Sequence, residues 1–289
     1  MANRRVLVKR RKAVRNIRKI TRTMQLIATA RFQAAFNRAV ATRPYTEKLA
    51  ELVADLSRAA GNVDHPLLRT NDEAKKSALV VLTSDRGLAG GYNANVLRSA
   101  TAHLDQQAAG METDVHMVGK KGISYFRFLR RAVAEQTSGI GDKPRFDQVE
   151  PIANALIDRF VRGEIASAHV AYMKFLSAGQ QRPVVVQLLP LQPEVKPGQE
   201  KAKSVEYEFS PDPQQLLDEL LPATVRVRLF QAFNDAAVSE QVARMVAMKA
   251  ATDAAQDMIK ALTREYNRAR QTQITMELLD IVGGANALS

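Results

Sequence analysis

Residues 244–274 read RMVAMKAATDAAQDMIKALTREYNRARQTQI, without glycine or proline and with an apolar residue at nearly every helical turn. Alternating steps of three and four residues define a seam made of Met245, Met248, Thr252, Ala255, Ile259, Leu262, Tyr266 and Ala269. This spacing is typical of a left-handed coiled coil. The stretch without glycine or proline runs from residue 223 to residue 282, which corresponds to about 90 Å of helix. A compact domain formed by a chain of 289 residues is shorter than this helix. The helix should therefore extend beyond the domain and bury its apolar seam against a partner helix.

The N-terminal segment is the obvious partner. It has its own apolar stripe at helical spacing, made of Val14, Ile17, Ile20, Met24, Ala28, Phe32, Phe36 and Val40. Pro44 is expected to kink or break this helix, as Pro222 is expected to kink or restart the C-terminal one. The two helices leave the central region from its two ends, so they should pair antiparallel. Equal rise per residue places Met24 opposite the turn around Val246 and Ile17 opposite the turn around Asp253. The alternative is that both helices pack separately on the central domain.

The middle of the chain alternates strand-like and helix-like segments and contains 12 of the 14 glycines. The predicted strands are residues 77–83, 114–118, 168–175 and 183–189. Strands that alternate with helices indicate a largely parallel sheet. The predicted fold is therefore α/β: a long antiparallel coiled coil of N- and C-terminal helices plus a central Rossmann-like α/β domain. The expected limits are 1–58 for the N-terminal helix, 59–210 for the α/β domain and 211–289 for the C-terminal helix.

The net charge of +12 comes entirely from the N-terminal segment. Thirteen of the 42 basic residues precede Glu47, the first acidic residue, and the other 29 are balanced by 30 acidic ones. Such a basic helix suits a nucleic-acid arm, a membrane-surface helix or a helix that faces an acidic protein; an organelle targeting peptide is a fourth reading. The absence of cysteine excludes disulfides and thiol catalysis.

No catalytic, cofactor or metal site is expected from the sequence. The loop SDRGLAGGYN (84–93) follows a strand and precedes a helix, but it lacks the pattern of a phosphate-binding loop, and so does VGKKGIS (118–124). Their glycines are expected to serve tight turns and close contact between helix and sheet. The histidines do not have metal-ligand spacing; they are His65, His103, His116 and His169.

Several segments resemble the gamma subunits of F-type ATP synthase, in the same order and spacing from one terminus to the other. The segments are KITRTMQLIATARF (19–32), RPYTE (43–47), TSDRGLAGGYN (83–93), VGKKG (118–122), SEQVARMVAMKAATD (239–253) and ARQTQITMELLDIVGGA (269–285). One departure is Ala89, where many members of the family carry cysteine. The chain also lacks the cysteine-containing insertion of plant-chloroplast members, so redox control of that kind is not expected.

The resemblance implies a rotor shaft without catalytic activity of its own. Its coiled coil would stand inside a ring of three alpha and three beta subunits, and its α/β domain would bind the epsilon subunit and the membrane c-ring. Ion-driven rotation of the c-ring would be coupled to conformational change at the beta-subunit catalytic sites. The implied location is peripheral, on the cytoplasmic face of a bacterial plasma membrane, with membrane contact only through the complex and no nucleic-acid partner.

The resemblance also assigns roles to individual positions. Residues expected to contact the beta subunit are Arg18, Lys19, Arg22, Met24, Arg244, Arg270, Gln271, Thr275 and Glu277. Residues expected at the tip held in the bearing are Leu278, Ile281, Val282 and Leu288. Residues expected on the c-ring side are Glu206, Tyr207 and Glu208. Without the resemblance, a solvated helix face explains each exposed arginine equally well, and a basic coiled-coil nucleic-acid-associated protein is the alternative function.

Overall fold

The computed structural model describes residues 4–59, 65–71, 73–107, 111–192 and 213–288. The chain forms two compact units. One consists of Met1–Thr29 with Arg244–Ser289, and the other is Ala30–Ala243. Two long helices, α1 (Arg4–Ala59) and α5 (Pro213–Leu288), contribute to both units. The domain limits expected from the sequence remain predictions.

The second unit contains a five-stranded sheet with the strand order β3-β2-β1-β4-β5. The strands are β1 (Lys76–Leu82), β2 (Glu112–Val118), β3 (Glu135–Thr137), β4 (Ser167–Ser177) and β5 (Gln180–Leu189). The helices between them are α2 (Tyr92–Gln107), α3 (Lys120–Phe128) and α4 (Phe146–Val161). Strands β1 to β4 pair in parallel, and β5 runs antiparallel to β4. Long terminal helices and a mixed, largely parallel α/β sheet confirm the predicted fold class.

The sequence of β1 is apolar without alternation because both faces of this central strand are covered. Leu79 and Val81 belong to a core that contains Val96 of α2 and Phe126 of α3. The side chains between them, Ala78, Val80 and Leu82, belong to a second core. This second core also contains residues of α4, α1 and α5, with Phe160, Leu56 and Leu229 among them. A segment of α5 is therefore a central element of the α/β layer.

Neither proline ends its helix. Of the two alternatives at each proline, the break at Pro44 and the restart at Pro222 are wrong, and a kink at either position stays a prediction. A proline inside a helix removes one backbone hydrogen bond and costs about 3 kcal/mol. Packing on both sides offsets that cost: Ala39 and Leu49 are buried on either side of Pro44, and Leu221 and Val225 on either side of Pro222.

The first unit is an antiparallel helix pair. Every predicted seam residue of α5 is buried or half-buried, while Val246, Lys249 and Asp253 beside the seam are exposed. Thr21 Oγ1 lies 2.8 Å from Thr252 Oγ1, and the Arg18 guanidinium donates to Gln256 Oε1. Farther along, the Arg11 Cζ atom lies 4.9 Å from the centre of the Tyr266 ring. Lower numbers on α1 thus meet higher numbers on α5, as an antiparallel pair requires.

The register and the α1 stripe differ from the prediction. The expected register, in which Met24 lies opposite Val246, places Thr21 opposite residue 249, whereas its partner is Thr252, about one turn farther on. The buried line of α1 follows a strict coiled-coil repeat through Leu7, Arg11, Val14, Arg18, Thr21, Gln25 and Ala28. Ile17 and Ile20 lie one position beside this line and are 51% and 59% exposed, and Val40, in the second unit, is 45% exposed. The hydrophobic residues of α1 therefore do not by themselves define its buried seam, which also contains polar residues.

Candidate partner-binding surfaces

The basic face of α1 presents Lys19 and Arg22 to solvent. The Arg22 guanidinium donates to Gln25 Oε1 at 3.0 Å, one turn along the same helix, and remains exposed. Met24 is half-buried. Arg18 differs because its guanidinium is held by Gln256 on the partner helix. The four positions assigned here by resemblance therefore divide into two exposed cations, one half-buried thioether and one arginine that helps to hold the helix pair.

A polar group on α5 lies just beyond the seam. Arg270, Gln271, Thr275 and Glu277 are all exposed. The Thr275 hydroxyl donates to the Gln271 carbonyl at 3.0 Å, and Gln273 Nε2 donates to Glu277 Oε1 at 2.8 Å. Arg270 and Gln271 are consecutive residues, so their side chains leave the helix in directions about 100° apart. Arg244 has a different environment, since it is only 7% exposed.

The distal part of α5 is exposed on every side from residue 273 to residue 283. The tip residues Leu278, Ile281 and Val282 are 57%, 70% and 50% exposed. Sequence reasoning missed equally exposed apolar neighbours, namely Ile274, Met276 and Leu279. Clustered exposed apolar side chains mark an interaction surface, and their distribution around the helix indicates a partner that surrounds it. The side chain of Leu288 lies outside the described residues, as do Glu206, Tyr207 and Glu208.

The carboxylate of Asp85 lies at the N-terminus of helix α3, a position where helices bind anions such as phosphate. Asp85 Oδ1 accepts a hydrogen bond from the Lys120 backbone N–H at 3.0 Å, and Asp85 Oδ2 accepts one from the Gly139 N–H at 2.9 Å. Lys120 begins helix α3, and the N-terminus of a helix favours an anion. Within the described residues, no group of three or more potential metal ligands occurs.

Two glycines at the start of helix α3 allow it to lie close to the sheet. Gly119 has φ +96°, and a Cβ there would lie 2.1 Å from the Thr83 carbonyl oxygen. A Cβ on Gly122 would lie 2.3 Å from the Met117 sulfur. Both distances are far below a van der Waals contact. The prediction that these glycines serve close contact between helix and sheet is confirmed.

Two half-buried histidines, one on α2 and one on β4, form a pair. The rings of His103 and His169 have centroids 4.8 Å apart. Burial, and then the neighbouring His103, lower the pKa of His169 to about 4, and burial also lowers the pKa of His103. Both rings are therefore neutral at pH 7.

This pair should make folding stability sensitive to acid. The pKa of His169 is lower in the folded chain than its usual 6.5, so the unfolded chain binds the proton first. The free energy of unfolding should fall as the pH drops from about 6.5 to about 4 and then level off. Between pH 7 and pH 4.5, the wild type should lose about 2 kcal/mol more than the His169→Gln variant in urea unfolding. Equal losses in the two proteins would contradict a neutral His103–His169 pair in the folded chain.

None of the described helices is long and apolar enough to cross a membrane.

Sequence comparisons give one family across the chain. The family model described as ATP synthase matches residues 3–288. A relative from Rhodopirellula baltica, named ATP synthase gamma chain, is 44% identical over 295 residues, covering 100% of this chain and 99% of the relative. Gamma chains of Leptospira biflexa and Dehalococcoides mccartyi are 39% and 42% identical, each covering 100% of both sequences.

Solved structures share the fold at lower identity. The rotor of the Euglena gracilis mitochondrial ATP synthase contains a chain with a TM-score of 0.63 and 15% identity, covering 94% of this chain and 98% of that one. The central stalk and c-ring of the Tetrahymena thermophila enzyme contains another, with a TM-score of 0.59 and 18% identity, covering 80% and 99%. Given a family match from residue 3 to residue 288 and these full-length relatives, the chain belongs to the ATP synthase gamma chain family, the non-catalytic central-stalk subunit of the F-type ATP synthase rotor.

Proposed function

We propose that this chain is the shaft that couples ion-driven rotation of the membrane c-ring to conformational change at the beta-subunit catalytic sites. The observation that carries the proposal is the continuation of α5 beyond its paired region. Its seam residues are covered as far as Ala269, and the helix is then exposed on every side from residue 273 to residue 283. Apolar and polar side chains share this stretch, as a surrounding protein sleeve requires.

We also propose specific contacts with the beta subunits. The exposed Lys19 and Arg22 would face an acidic lever of the beta subunit, and the exposed Arg270 and Gln271 would bind its catch loop. The tip residues Leu278, Ile281 and Val282 would sit in the bearing at the top of a ring of three alpha and three beta subunits. Arg244 is buried within the chain. We propose that it supports the surface that contacts the beta subunit and that only the small exposed part of its side chain touches that subunit.

At the other end of the shaft, the proposed partners are the epsilon subunit and the c-ring. Glu206, Tyr207 and Glu208 are proposed for the c-ring side on the sequence resemblance alone. The solved Tetrahymena assembly with a similar chain includes a c-ring. The proposed location is the cytoplasmic face of a bacterial plasma membrane, where the chain is held peripherally through the complex.

Copurification tests this function against the alternative of a nucleic-acid-associated coiled coil. A tagged chain expressed in its own cell should bring down alpha, beta and epsilon subunits in stable proportion. A nucleic-acid binder would instead lose affinity steeply with salt, since each neutralised phosphate releases counterions. Recovery of nucleic acid at low salt, with no alpha or beta subunit, would overturn the proposal.

A further inference from the structure

The loop between β3 and α4, residues 138–145, is bonded to both long helices through Asp142. The Arg31 guanidinium of α1 forms an ion pair with Asp142 Oδ2. Gln241 Nε2 of α5 donates to Asp142 Oδ1 at 2.7 Å. Arg38, two turns beyond Arg31 on α1, donates from Nη2 to the Asp142 carbonyl oxygen at 2.9 Å. One residue thus accepts from three side chains on two helices.

At its other end the same loop is bonded to Asp85, which lies in the loop after β1. The Gly139 N–H donates to Asp85 Oδ2 at 2.9 Å, and Asp85 Oδ1 accepts from the first residue of α3, Lys120. Gly139 and Gly141 have φ values of +89° and +66°, which glycine adopts without strain. The backbone from Gly139 to Asp142 is therefore held in a defined shape between Asp85 and the two long helices.

The neighbouring contact between helices and sheet has no comparable directionality. It is an apolar cluster in which Ala35 and Ala39 of α1 and Val238 and Val242 of α5 surround Phe175 of β4. Apolar contact is non-directional, and the small alanine and valine side chains form only shallow ridges on the two helices. This cluster therefore resists separation of the helices from the sheet better than it resists sliding of the helices along the sheet. Hydrogen bonds, in contrast, weaken steeply when their angle changes.

The polar contacts supply the direction. The Ser239 hydroxyl donates to the Met173 carbonyl at 3.0 Å and joins α5 to β4, but it does not reach α1. Among the hydrogen bonds described for residues 30–243, those of Asp142 join α1, α5 and a loop of the α/β layer at one residue. Gln241 is 0% exposed, so loss of Asp142 would leave its amide N–H buried without this acceptor.

We propose that the 138–145 loop is a torsional strut and that Asp142 is a positioning residue that limits twisting of the α/β domain against the neighbouring turns of α1 and α5, at Arg31, Arg38 and Gln241. The inference rests on the proposed rotary function. When the helices turn, the charged and directional bonds at Asp142 oppose rotation of α1 and α5 past the sheet. At the other end of the loop, the bonds of Asp85 transmit the torque to the loop after β1 and to helix α3.

Single-molecule rotation of the assembled complex tests the strut. The ring of alpha and beta subunits is fixed to a surface, and a probe is attached through Ala102→Cys, an exposed α2 position in a chain without native cysteine. Asn in place of Asp142 loses the charge and keeps one acceptor oxygen. Because one of the two carboxylate ties is then lost, the angular variance of the stalled probe should rise about twofold, while the rate of ATP hydrolysis stays unchanged.

The matched control is Asp105→Asn, which removes a surface ion pair with Arg131 on the same domain and should leave the variance unchanged. Gln241→Met is a second variant of similar volume that removes the α5 tie and should also raise the variance. Equal variance in wild type, Asp142→Asn and Gln241→Met would overturn the strut while leaving the rotary function intact. Failure of both variants to assemble, with Asp105→Asn assembling, would overturn it too, because the loop would then serve folding. Absence of rotation in the wild type would reject the proposed function itself.

Discussion

Replacing Arg270 and Gln271 together with alanine should reduce complex yield and ATP-driven ion pumping more than any other surface pair tested on this chain. Both side chains are exposed on α5 beyond the paired region. A charge-assisted hydrogen bond to a partner is worth about 1.5–3 kcal/mol, and a neutral one about 1 kcal/mol. Losing both therefore corresponds to about 3 kcal/mol, or roughly a hundredfold weaker association.

The control uses the same residue types on the outer helix α2 of the α/β domain. Arg98 and Gln106 are both exposed, so Arg98→Ala with Gln106→Ala removes an equal charge and a similar area. Yield of the assembled complex and pumping into membrane vesicles are compared for both double variants. If the Arg270 and Gln271 variant pumps and assembles as well as the control, these residues do not contact the beta subunit in the way proposed.

The fold was readable from the sequence wherever burial follows hydrophobic spacing. The α5 seam was predicted correctly because its residues, from Met248 to Tyr266, repeat with a coiled-coil period and face another helix. The central strand β1 was predicted because a buried parallel strand is apolar throughout. The three-residue strand β3 was missed because it is too short for any period and is polar, with Glu135 and Gln136 exposed.

The same reasoning failed on α1, where polar side chains occupy the seam. Thr21 and Arg18 bond to groups on α5, whereas Ile17 and Ile20 are exposed. A sequence pattern ranks isoleucine above arginine as a core residue, but an arginine whose guanidinium is hydrogen-bonded can occupy a half-buried seam and cover apolar surface with its stem. The exposed isoleucines then become candidates for contact with another subunit.

The site was predictable only through resemblance, and only in part. Exposure of Arg270 and Gln271 agrees with the role that the resemblance gives them, but burial of Arg244 could not be read from its position in the motif. The Asp142 contacts join residues more than 90 positions apart on three elements. No local pattern reports such contacts, because their partners are brought together only by the tertiary fold.

The helix register gives the sharpest test of the paired region. In the structure Thr21 Oγ1 and Thr252 Oγ1 are 2.8 Å apart. A disulfide requires Cα atoms within about 7 Å and side chains that point toward each other, and two hydroxyls in contact show that these side chains point toward each other. Thr21→Cys with Thr252→Cys should therefore link almost completely on mild oxidation. The chain has no native cysteine, so any disulfide in this variant joins the two introduced residues.

The matched variant, Thr21→Cys with Lys249→Cys, tests the register expected from equal rise out of the central domain. Lys249 is on the same helix but is exposed and lies beside the seam, so its cysteine should point away from α1 and remain reduced. Both variants are oxidised in the assembled complex, cleaved between the helices and compared on a non-reducing gel. Retained fragments should appear for position 252 and not for position 249. Preferential linking at 249 would shift the pair by about one turn and would contradict the contacts of Arg18 and Arg11 together with that of Thr21.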